Sequence, residues 1–540
     1  MIFQLSGAYG SVISKDELND ILRTYIGILE MDEPVISGSL ILNPHLITPL
    51  YNKEEYPVRT LWESRENIEQ LMVAINNIGE EGLDPEDYHI YRIESLHEQI
   101  YLSELTDAAS IARFDILLTD AFILLSAHLA AGKVDPSTNE PRWHLSGDDI
   151  GINWCEFVKN SLQNNNVSDN LQLITPRHSS YNNLKYALNR YQKIKEEGGW
   201  KTFSTDMTRL KPGMKHPDIP AVRLRLAATQ DTAGNDKAEK ELFDSILVEQ
   251  VKLFQKRKGL TPRGVVDSAT IGQMNIPVEE RISGIKVNLD RWRRFGTELG
   301  YRYIKVNIPD FTLRVTENDS TMLEARVIVG RTNRQTPSFS SVMTYMEFNP
   351  DWTVPPTMLI EDVLPAIRED PDYLERNNMN VYGEDWNPVN PDTIDWQIYD
   401  NNDFPYYIVQ EPGPQNPLGN IKFMFPNPYH VYIHDTPSPA LFDEPVRTFS
   451  SGCIRVDKPV ELAAYLLEDS PVWTPKYIEI VMEVGLEITV NILDPIQVYI
   501  IYSTAWAGDE GLVYFRDDIY EKDDKLFTAL KQPPPGYIQY

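Results

Sequence analysis

The chain has 540 residues, more than a single hydrophobic core accommodates, so we expect roughly two to four domains. Hydrophobic residues make up 42% of the chain and charged residues 24%, proportions of folded globular proteins that exclude wholesale disorder. The formal net charge of −30 argues against an extended phosphate-binding surface, so we expect no nucleic-acid partner.

The cysteine content and the apolar stretches exclude two further classes of protein. Cys155 and Cys453 stand far apart in dissimilar contexts, which excludes a disulfide framework or a four-cysteine zinc site. The longest apolar stretch, Ala121 to Ala131, is shorter than a membrane span, so we expect no transmembrane segment. The first residues, Met1 to Ser6, show no basic region followed by an apolar one, so no secretory signal is visible.

The N-terminal part of the chain has a helical pattern. From Val58 to about Ala131, apolar residues recur at three- and four-residue spacing. Gly82 to Pro85 and Gly132 to Pro136 each place Gly beyond such a pattern and Pro shortly after, which is typical of helix ends. We therefore predict a helical domain over residues 1–205.

A small unit follows at residues 206–277. Its periodic run includes Leu247, Val251 and Phe254, and the spacing favours a core position for Phe254. Asp267 is placed to cap a last short helix. The pattern predicts a compact helical module.

A further helix is predicted within residues 278–300 and leads back to the first domain. Apolar residues from Val278 to Phe295 keep helical spacing. Arg291, Arg293 and Arg294 cluster at its end, where cations offset the helix dipole.

Past Tyr303 the pattern changes to β-branched runs, which predict a strand-rich domain over residues 301–540. A Pro-, Asp- and Asn-rich segment with one helical stretch interrupts it at about residues 355–407. That length is typical of a lid rather than a turn. The predicted fold class is multidomain α+β.

The first chemical signal is the segment Tyr432 to Pro437. In a strand, side chains alternate between faces, so His430, Tyr432 and His434 would share one face. His434 then lies at the end of the strand, where it could act as an acid or base.

The second signal, Ser450 to Val456, lies shortly downstream. Gly452 permits a tight turn before Cys453, which would expose the sulfur and gather backbone N–H groups beside it. An inert buried cysteine is the commoner role for such a residue. A zinc site formed by His430, His434 and Cys453 is a third reading, although it gives an incomplete ligand set.

Together these segments resemble the signature of L,D-transpeptidases of the YkuD type. In that family a His is followed, at about this distance, by a Ser/Thr-x-Gly-Cys element, here ending in Gly452 and Cys453. Arg455 also matches, whereas Ser451 stands where the commonest version has His, as in a large Gram-negative subclass.

The resemblance extends over nearly the whole chain. It implies a helical scaffold domain, a three-helix peptidoglycan-binding domain and a mainly-β catalytic domain with a capping subdomain. The stretches that carry it are Leu61-Trp62, Glu81 to Tyr88, Asp115 to Ala121, Val251 to Gln255, Gly259-Leu260, Asp267 to Thr270, and Asn349 to Pro355.

The resemblance implies a peptidoglycan L,D-transpeptidase that forms 3-3 cross-links in cell wall biogenesis. Cys453 would be the nucleophile, forming a thioester and releasing D-Ala from a tetrapeptide donor, with His434 as acid/base. Diaminopimelate of a second stem peptide would be the acceptor. Inhibition by carbapenem β-lactams and a periplasmic location are also implied, with a signal removed from this chain.

Other positions receive secondary roles. Gly452 and Ser451 would form the oxyanion turn, and Arg455 would either hold a substrate carboxylate or brace that turn. The sequence contains no glycine-rich phosphate loop and no evident metal cluster, so neither cofactor nor metal is implied. Further candidates for substrate binding are Tyr432, Trp352 and Ser450.

Two alternatives stay open at this point. A cysteine hydrolase or D-amino-acid exchange enzyme of the same fold would share the nucleophile and differ only in the acceptor. A non-catalytic peptidoglycan-binding scaffold would leave Cys453 structural, as we expect for Cys155.

Overall fold

The computed structural model describes residues 13–51, 58–103, 107–142, 145, 151–229, 240–399, 404–508 and 511–535. The segment considered above for a secretory signal lies outside these residues. Contacts divide the chain into two units, one formed by Met1–Glu298 with Thr504–Tyr540 and the other by Leu299–Ser503.

The first unit begins with helices packed around a central one, Ala108–Ala131, which is buried on nearly all sides. Asp107 caps its start by accepting a hydrogen bond from the Ser110 N–H. The surrounding helices are Lys15–Leu29, Pro44–Ile47, Arg65–Asn76, Ile90–Tyr101, Trp154–Gln163 and Val167–Ile174. The predicted helical N-terminal region is confirmed.

Buried polar groups on the central helix form hydrogen bonds with other segments of the first unit. The Asp115 carboxylate accepts hydrogen bonds from the Tyr51 hydroxyl at 2.6 Å and the Trp62 N–H at 2.8 Å. Burial raises the pKa of Asp115 to about 6. By length and composition this helix could span a bilayer, but 89% of its most apolar window is buried inside the protein, as in the core helices of soluble proteins.

Three short helices follow: Ile219–Ala227, Ser245–Arg257 and Ser268–Asn275. Asp244 and Asp267 cap the second and third by accepting from the N–H groups of Leu247 and Thr270. Phe254 is fully buried among them, as predicted.

The helix Val278–Arg293 packs against Ser179–Glu196 within the same unit. The arginines at its end do not serve as exposed dipole partners. The Arg293 guanidinium is buried and donates to the Tyr181 hydroxyl at 3.1 Å, while Arg291 forms an ion pair with Asp523 at 2.7 Å. Each of these two charges thus has a specific partner.

The last part of the chain belongs to this first unit as well. A hairpin of Ala505–Ala507 and Val513–Phe515 and a helix Asp523–Leu530 contact helices of the unit. The sequence analysis instead assigned all of residues 301–540 to the strand-rich domain. The strand-like sequence pattern of this last part of the chain did not indicate that it packs with the first unit. That packing depends on contacts between distant segments, such as the hydrogen bond from Arg257 Nε to the Val513 carbonyl.

The second unit is built on a sheet that closes on itself. Thr312–Glu317 pairs with both Arg302–Asn307 and Ser320–Gly330, which joins the two sides. Its other strands are Phe339–Phe348, Ile421–Met424, Ile433–His434, Thr448–Ser450, Ile454–Val456 and Ile488–Ile501. The helices Pro459–Leu466 and Pro475–Val484 lie between the last two of these strands in the chain. The predicted mainly-β character is confirmed.

A subdomain is inserted between Phe339–Phe348 and Ile421–Met424, and we call it the lid. Its helical part comprises Pro356–Met358, a π-helical turn Leu359–Val363, Leu364–Glu369 and Tyr373–Arg376. It also contains a four-stranded sheet, which the sequence did not predict, formed by Trp352–Thr353, Met379–Gly383, Pro388–Val389 and Tyr406–Gln410. The Asp-, Asn- and Pro-rich composition obscured these short strands.

Candidate active site

A tight turn presents Cys453 at the start of the strand Ile454–Val456. Gly452 has φ +117°, a conformation that favours glycine, as predicted. The Ser450 hydroxyl accepts from the Gly452 N–H at 3.2 Å and donates to the Cys453 carbonyl at 2.5 Å. Thr336 holds the turn from outside by donating to the Gly452 carbonyl at 2.8 Å. Ser450 therefore braces the turn, and it also lines the cavity described below.

His434 lies in a strand beside this turn. Ile433–His434 pairs in parallel with Ile454–Val456, and His434 lies opposite Arg455 in the register. Tyr432 and His434 share a face, with ring centroids 5.6 Å apart. His430 does not continue the alternation, because its φ of +53° breaks the extended backbone.

The protonation of His434 follows from its surroundings. Burial, reinforced by the positive charge of Arg455, lowers the pKa of His434 to about 3, so the ring is neutral. Nδ1 lies 2.6 Å from the Asp435 carbonyl oxygen, which can only accept a hydrogen bond. The proton of the neutral ring is therefore on Nδ1, and Nε2 is the basic nitrogen.

Cys453 rests as a neutral thiol. Burial raises the pKa of Cys453, opposed by hydrogen bonds from the Tyr432 N–H and hydroxyl and by the charges of Lys422 and Arg455. The thiol lies 3.8 Å from the His430 carbonyl oxygen. Among the described residues no hydrogen bond joins Cys453 to His434 in this arrangement.

Both side chains line one cavity of about 580 Å³ within the second unit. The lid contributes Trp352 and Met358 to its wall. Trp352 is also 93% buried in the core of the lid, so it both packs and lines the cleft, and Tyr432 packs against that same core. The two aromatic residues thus belong both to the packed core of the lid and to the cavity wall.

Two arginines give this cavity a positive charge. Arg455 is largely buried, its Nε has no hydrogen-bond partner among the described residues, and the nearby charge of Arg331 contributes to lowering the pKa of Arg455 after the larger effect of burial. Arg331 also lines the cavity. Because the Arg455 Nε lacks a partner in the described part of the chain, it can donate a hydrogen bond to an anion in the cavity.

Ser451 connects the turn to the lid. Its hydroxyl accepts from Arg334 Nη1 at 3.1 Å, and Arg334 also pairs with Glu361 and Asp362 of the lid. Sequence reasoning missed Arg331 and Arg334. Their signal was the pair of arginines in the turn-rich loop after Gly330, but only the fold places this loop at the cavity.

The remaining sequence hypotheses concern metal binding and the second cysteine. In the part of the chain that the structure describes, one group has metal-ligand spacing, Asp206, His216 and Asp218, and it does not include Cys453. Cys155 packs against the hydrophobic core of the first unit, as a structural residue would.

Comparison with known families matches three parts of the chain. Residues 301–474 match the YkuD model, described as the L,D-transpeptidase catalytic domain. Residues 45–188 match a scaffold domain, and residues 215–274 match a "Putative peptidoglycan binding domain".

Two individual proteins are similar to parts of this chain. A protein of Haemophilus influenzae named "Putative L,D-transpeptidase" is 36% identical over 226 residues, which span 42% of this chain and 45% of that protein. The crystal structure of an L,D-transpeptidase from Stackebrandtia nassauensis is 12% identical and covers 55% of this chain and 97% of its own, with a TM-score of 0.21. The match to the first relative thus spans under half of its length.

Proposed function

We propose that this chain, whose residues 301–474 match the L,D-transpeptidase catalytic domain, belongs to that family and cross-links peptidoglycan stem peptides through a thioester on Cys453. The observation that carries the proposal is the shared cavity. It brings together a thiol on a tight turn, a neutral histidine with an oriented basic nitrogen, and an arginine without a hydrogen-bond partner on its Nε.

In the first half-reaction, Cys453 Sγ attacks the carbonyl carbon that joins the third residue of a donor tetrapeptide to D-Ala. His434 Nε2 takes the thiol proton and passes it to the departing D-Ala amine, so the C–N bond breaks as the C–S bond forms. The Asp435 carbonyl stabilises the imidazolium that forms in between. Since the Gly452 N–H already donates to Ser450, the Cys453 N–H is the donor left for the oxyanion.

In the second half-reaction, an amine of diaminopimelate on another stem peptide attacks the thioester. His434 Nε2 removes its proton and returns one to the Cys453 sulfur, which leaves as the C–S bond breaks. The product is a 3-3 cross-link. Water or a free D-amino acid in place of this amine gives hydrolysis or exchange, which analysis of the products distinguishes.

Arg455 and Arg331 are suited to hold a carboxylate of the donor. Arg455, whose Nε has no partner among the described residues, and its like-charged neighbour are both stabilised when an anion lies between them. The terminal D-Ala carboxylate lies next to the bond that is cut. Its capture would place the scissile carbonyl near Cys453.

The substrate also indicates where the protein acts. Residues 215–274 match a peptidoglycan-binding model, and peptidoglycan lies outside the cytoplasm, so we assign the protein to the periplasm and to cell wall biogenesis and shape. We treat the predicted domains, including the module at residues 206–277, as separate parts of one enzyme. The module would hold the polymer while the catalytic domain acts on it.

Intact-protein mass spectrometry after incubation with a carbapenem tests the proposal. We expect one adduct per chain, located at Cys453 by peptide mapping, and none in Cys453→Ala. Digestion of sacculi treated with the enzyme should yield 3-3 cross-linked dimers. An adduct at Cys155, or no adduct at all, would contradict the proposal.

A further inference from the structure

The outer face of the lid sheet carries a cluster of aromatic side chains that the proposed chemistry does not use. Trp386 and Tyr407 stack with ring centroids 4.7 Å apart and an angle of 6° between their planes, and Tyr382 lies 6.1 Å from Trp386. Trp386 is 54% exposed and Tyr407 41% exposed. We call these three residues the aromatic platform.

The strand register shows which face carries the platform. Tyr407 lies directly opposite Tyr382 in neighbouring antiparallel strands, so their side chains share one side of the sheet. The next residues along these strands, Ile408 and Val381, are buried in the core of the lid. The platform therefore faces away from that core.

The turn that contains Trp386 has a backbone geometry that favours glycine at this position. The Gly383 N–H donates to the Asn387 carbonyl and the Trp386 N–H to the Gly383 carbonyl, which defines a three-residue hairpin loop. Such loops place their third residue in the left-handed region, where glycine is preferred. Trp386 occupies that position at φ +60°. A bulky residue in this conformation is strained, and such strain is typical of functional positions.

We propose that the aromatic platform binds sugar rings of the peptidoglycan glycan strand, an inference that rests on the proposed function for its substrate. A pyranose ring presents a face of C–H bonds, which carry partial positive charge and pack against the negative face of an aromatic ring. Trp386 and Tyr407 stack with parallel planes, and the exposed part of each ring remains open to such a contact. The exposed carboxylates of Glu384 and Asp385 lie in the same turn and can accept hydrogen bonds from sugar hydroxyls.

The covalent structure of peptidoglycan gives a reason for a sugar-binding site on the lid. Stem peptides are attached to the glycan, so a lid that binds the sugars raises the concentration of peptides near the cavity. The platform then determines the use of polymeric substrate. It has no effect on a small β-lactam, which carries no sugar.

The test uses the full chain and a soluble β-1,4-linked N-acetylglucosamine oligomer, with binding followed by tryptophan fluorescence and calorimetry. Trp386→Gly is the informative variant because it removes the ring and places the preferred residue in the turn. We expect binding to weaken by about tenfold or more, which corresponds to about 1.4 kcal/mol per tenfold. We also expect the melting temperature not to fall, because relief of the left-handed strain offsets the freedom that glycine adds to the unfolded chain.

Controls separate this inference from the proposed function. Tyr301→Ala removes another exposed aromatic ring, 64% exposed, and should leave oligomer binding unchanged. Carbapenem acylation of Cys453 should be equal in wild type and Trp386→Gly, whereas failure of the proposed function would abolish it in both.

Two outcomes would overturn the inference: no oligomer binding by the wild type, or equal binding by Trp386→Gly. If Trp386→Gly loses both binding and stability, Tyr407→Leu decides the matter. Weakened binding in Tyr407→Leu at an unchanged melting temperature supports the platform, and unchanged binding rejects it. Self-association that disappears in Trp386→Gly without any oligomer binding would instead identify a contact between copies of the chain.

Discussion

His128 in the first unit and His434 in the second have almost the same protonation behaviour. Burial lowers the pKa of each to about 3, and each ring contacts a backbone carbonyl, that of Arg142 for His128 and that of Asp435 for His434. Their neighbours differ. The second nitrogen of His128 meets the Tyr88 hydroxyl at 3.0 Å inside a packed core, whereas His434 borders a cavity that also contains a thiol.

The comparison teaches that a perturbed pKa does not identify a catalytic histidine. The pKa values of both rings are equally far from the usual value, but His434 borders the space where a substrate could lie. A histidine enclosed in a packed core contributes to stability, and one that borders a cavity can exchange protons with a bound substrate.

The largest expected effect lies at the nucleophile. Cys453→Ala should abolish tetrapeptide-dependent cross-linking, because no other described group in the cavity is placed to form the acyl intermediate. Cys155→Ala, in the core of the first unit, should retain most turnover. Muropeptide analysis by liquid chromatography measures both. Loss of activity in the Cys155 variant alone would reverse the assignment.

The two histidines provide the second test. His434→Gln should slow acylation by roughly 10²- to 10⁴-fold, the range for loss of a general base. His128→Gln should leave the acylation rate unchanged at a temperature where the protein is folded. Stopped-flow measurement of β-lactam acylation separates them, and equal losses would show that the cavity does not distinguish these residues.

Arg455 offers a smaller and more selective effect. Arg455→Met should lower kcat/KM for a tetrapeptide donor by roughly 10- to 100-fold, since a hydrogen-bonded charge contributes about 1.5–3 kcal/mol. With a donor amidated at the terminal D-Ala, wild type and variant should react alike. Arg314→Met, which removes a surface ion pair with Glu324, is the matched control. A variant that is impaired equally with both donors would indicate that Arg455 supports the fold.

His128 should make the first unit sensitive to acid. Its folded pKa of about 3 lies below the unfolded value of about 6.5, so the unfolded state takes up the proton and stability falls as pH drops below 6.5. Between pH 7 and pH 5 the wild type should lose about 2 kcal/mol of unfolding free energy relative to His128→Gln. Denaturant titrations at the two pH values measure the difference. Parallel changes in both proteins would show that His128 is protonated in the folded state.

The smallest expected effect is a shift in the titration of Cys453. Burial raises its pKa, so alkylation by iodoacetamide should reach half its maximum rate above about pH 8.5, the value of a free thiol. His434→Gln should have a similar profile, because the ring is already neutral in that range. A wild-type midpoint below the free-thiol value that rises in the variant would instead demonstrate a thiolate–imidazolium pair.

Local spacing was sufficient to predict part of the site. A glycine before a cysteine and a histidine at a strand end are properties of a few neighbouring residues, so Gly452, Cys453 and His434 could be placed in advance. The alternation that grouped His430 with His434 failed because the positive φ at His430 interrupts the strand. Period-two patterns hold only where the backbone stays extended.

Other features depended on contacts between distant segments. Arg331 and Arg334 become site residues only because the loop after Gly330 folds against the turn at Gly452. Residues 504–508 and 511–535 belong to the first unit, and their strand-like sequence pattern did not predict this. The domain boundaries stay predictions, because contacts do not show which segments fold alone.

The ion pairs of Arg334 have a consequence for experiments at different salt concentrations. Glu361 and Asp362 are 54% and 43% exposed at their side chains, so mobile ions can screen their attraction to Arg334. Screening weakens the link between the lid and Ser451, whereas the hydrogen bond from His434 Nδ1 to the Asp435 carbonyl joins neutral groups and is not screened. Raising ionic strength therefore loosens the wall of the cavity, and acylation rates measured in different buffers report lid movement together with chemistry.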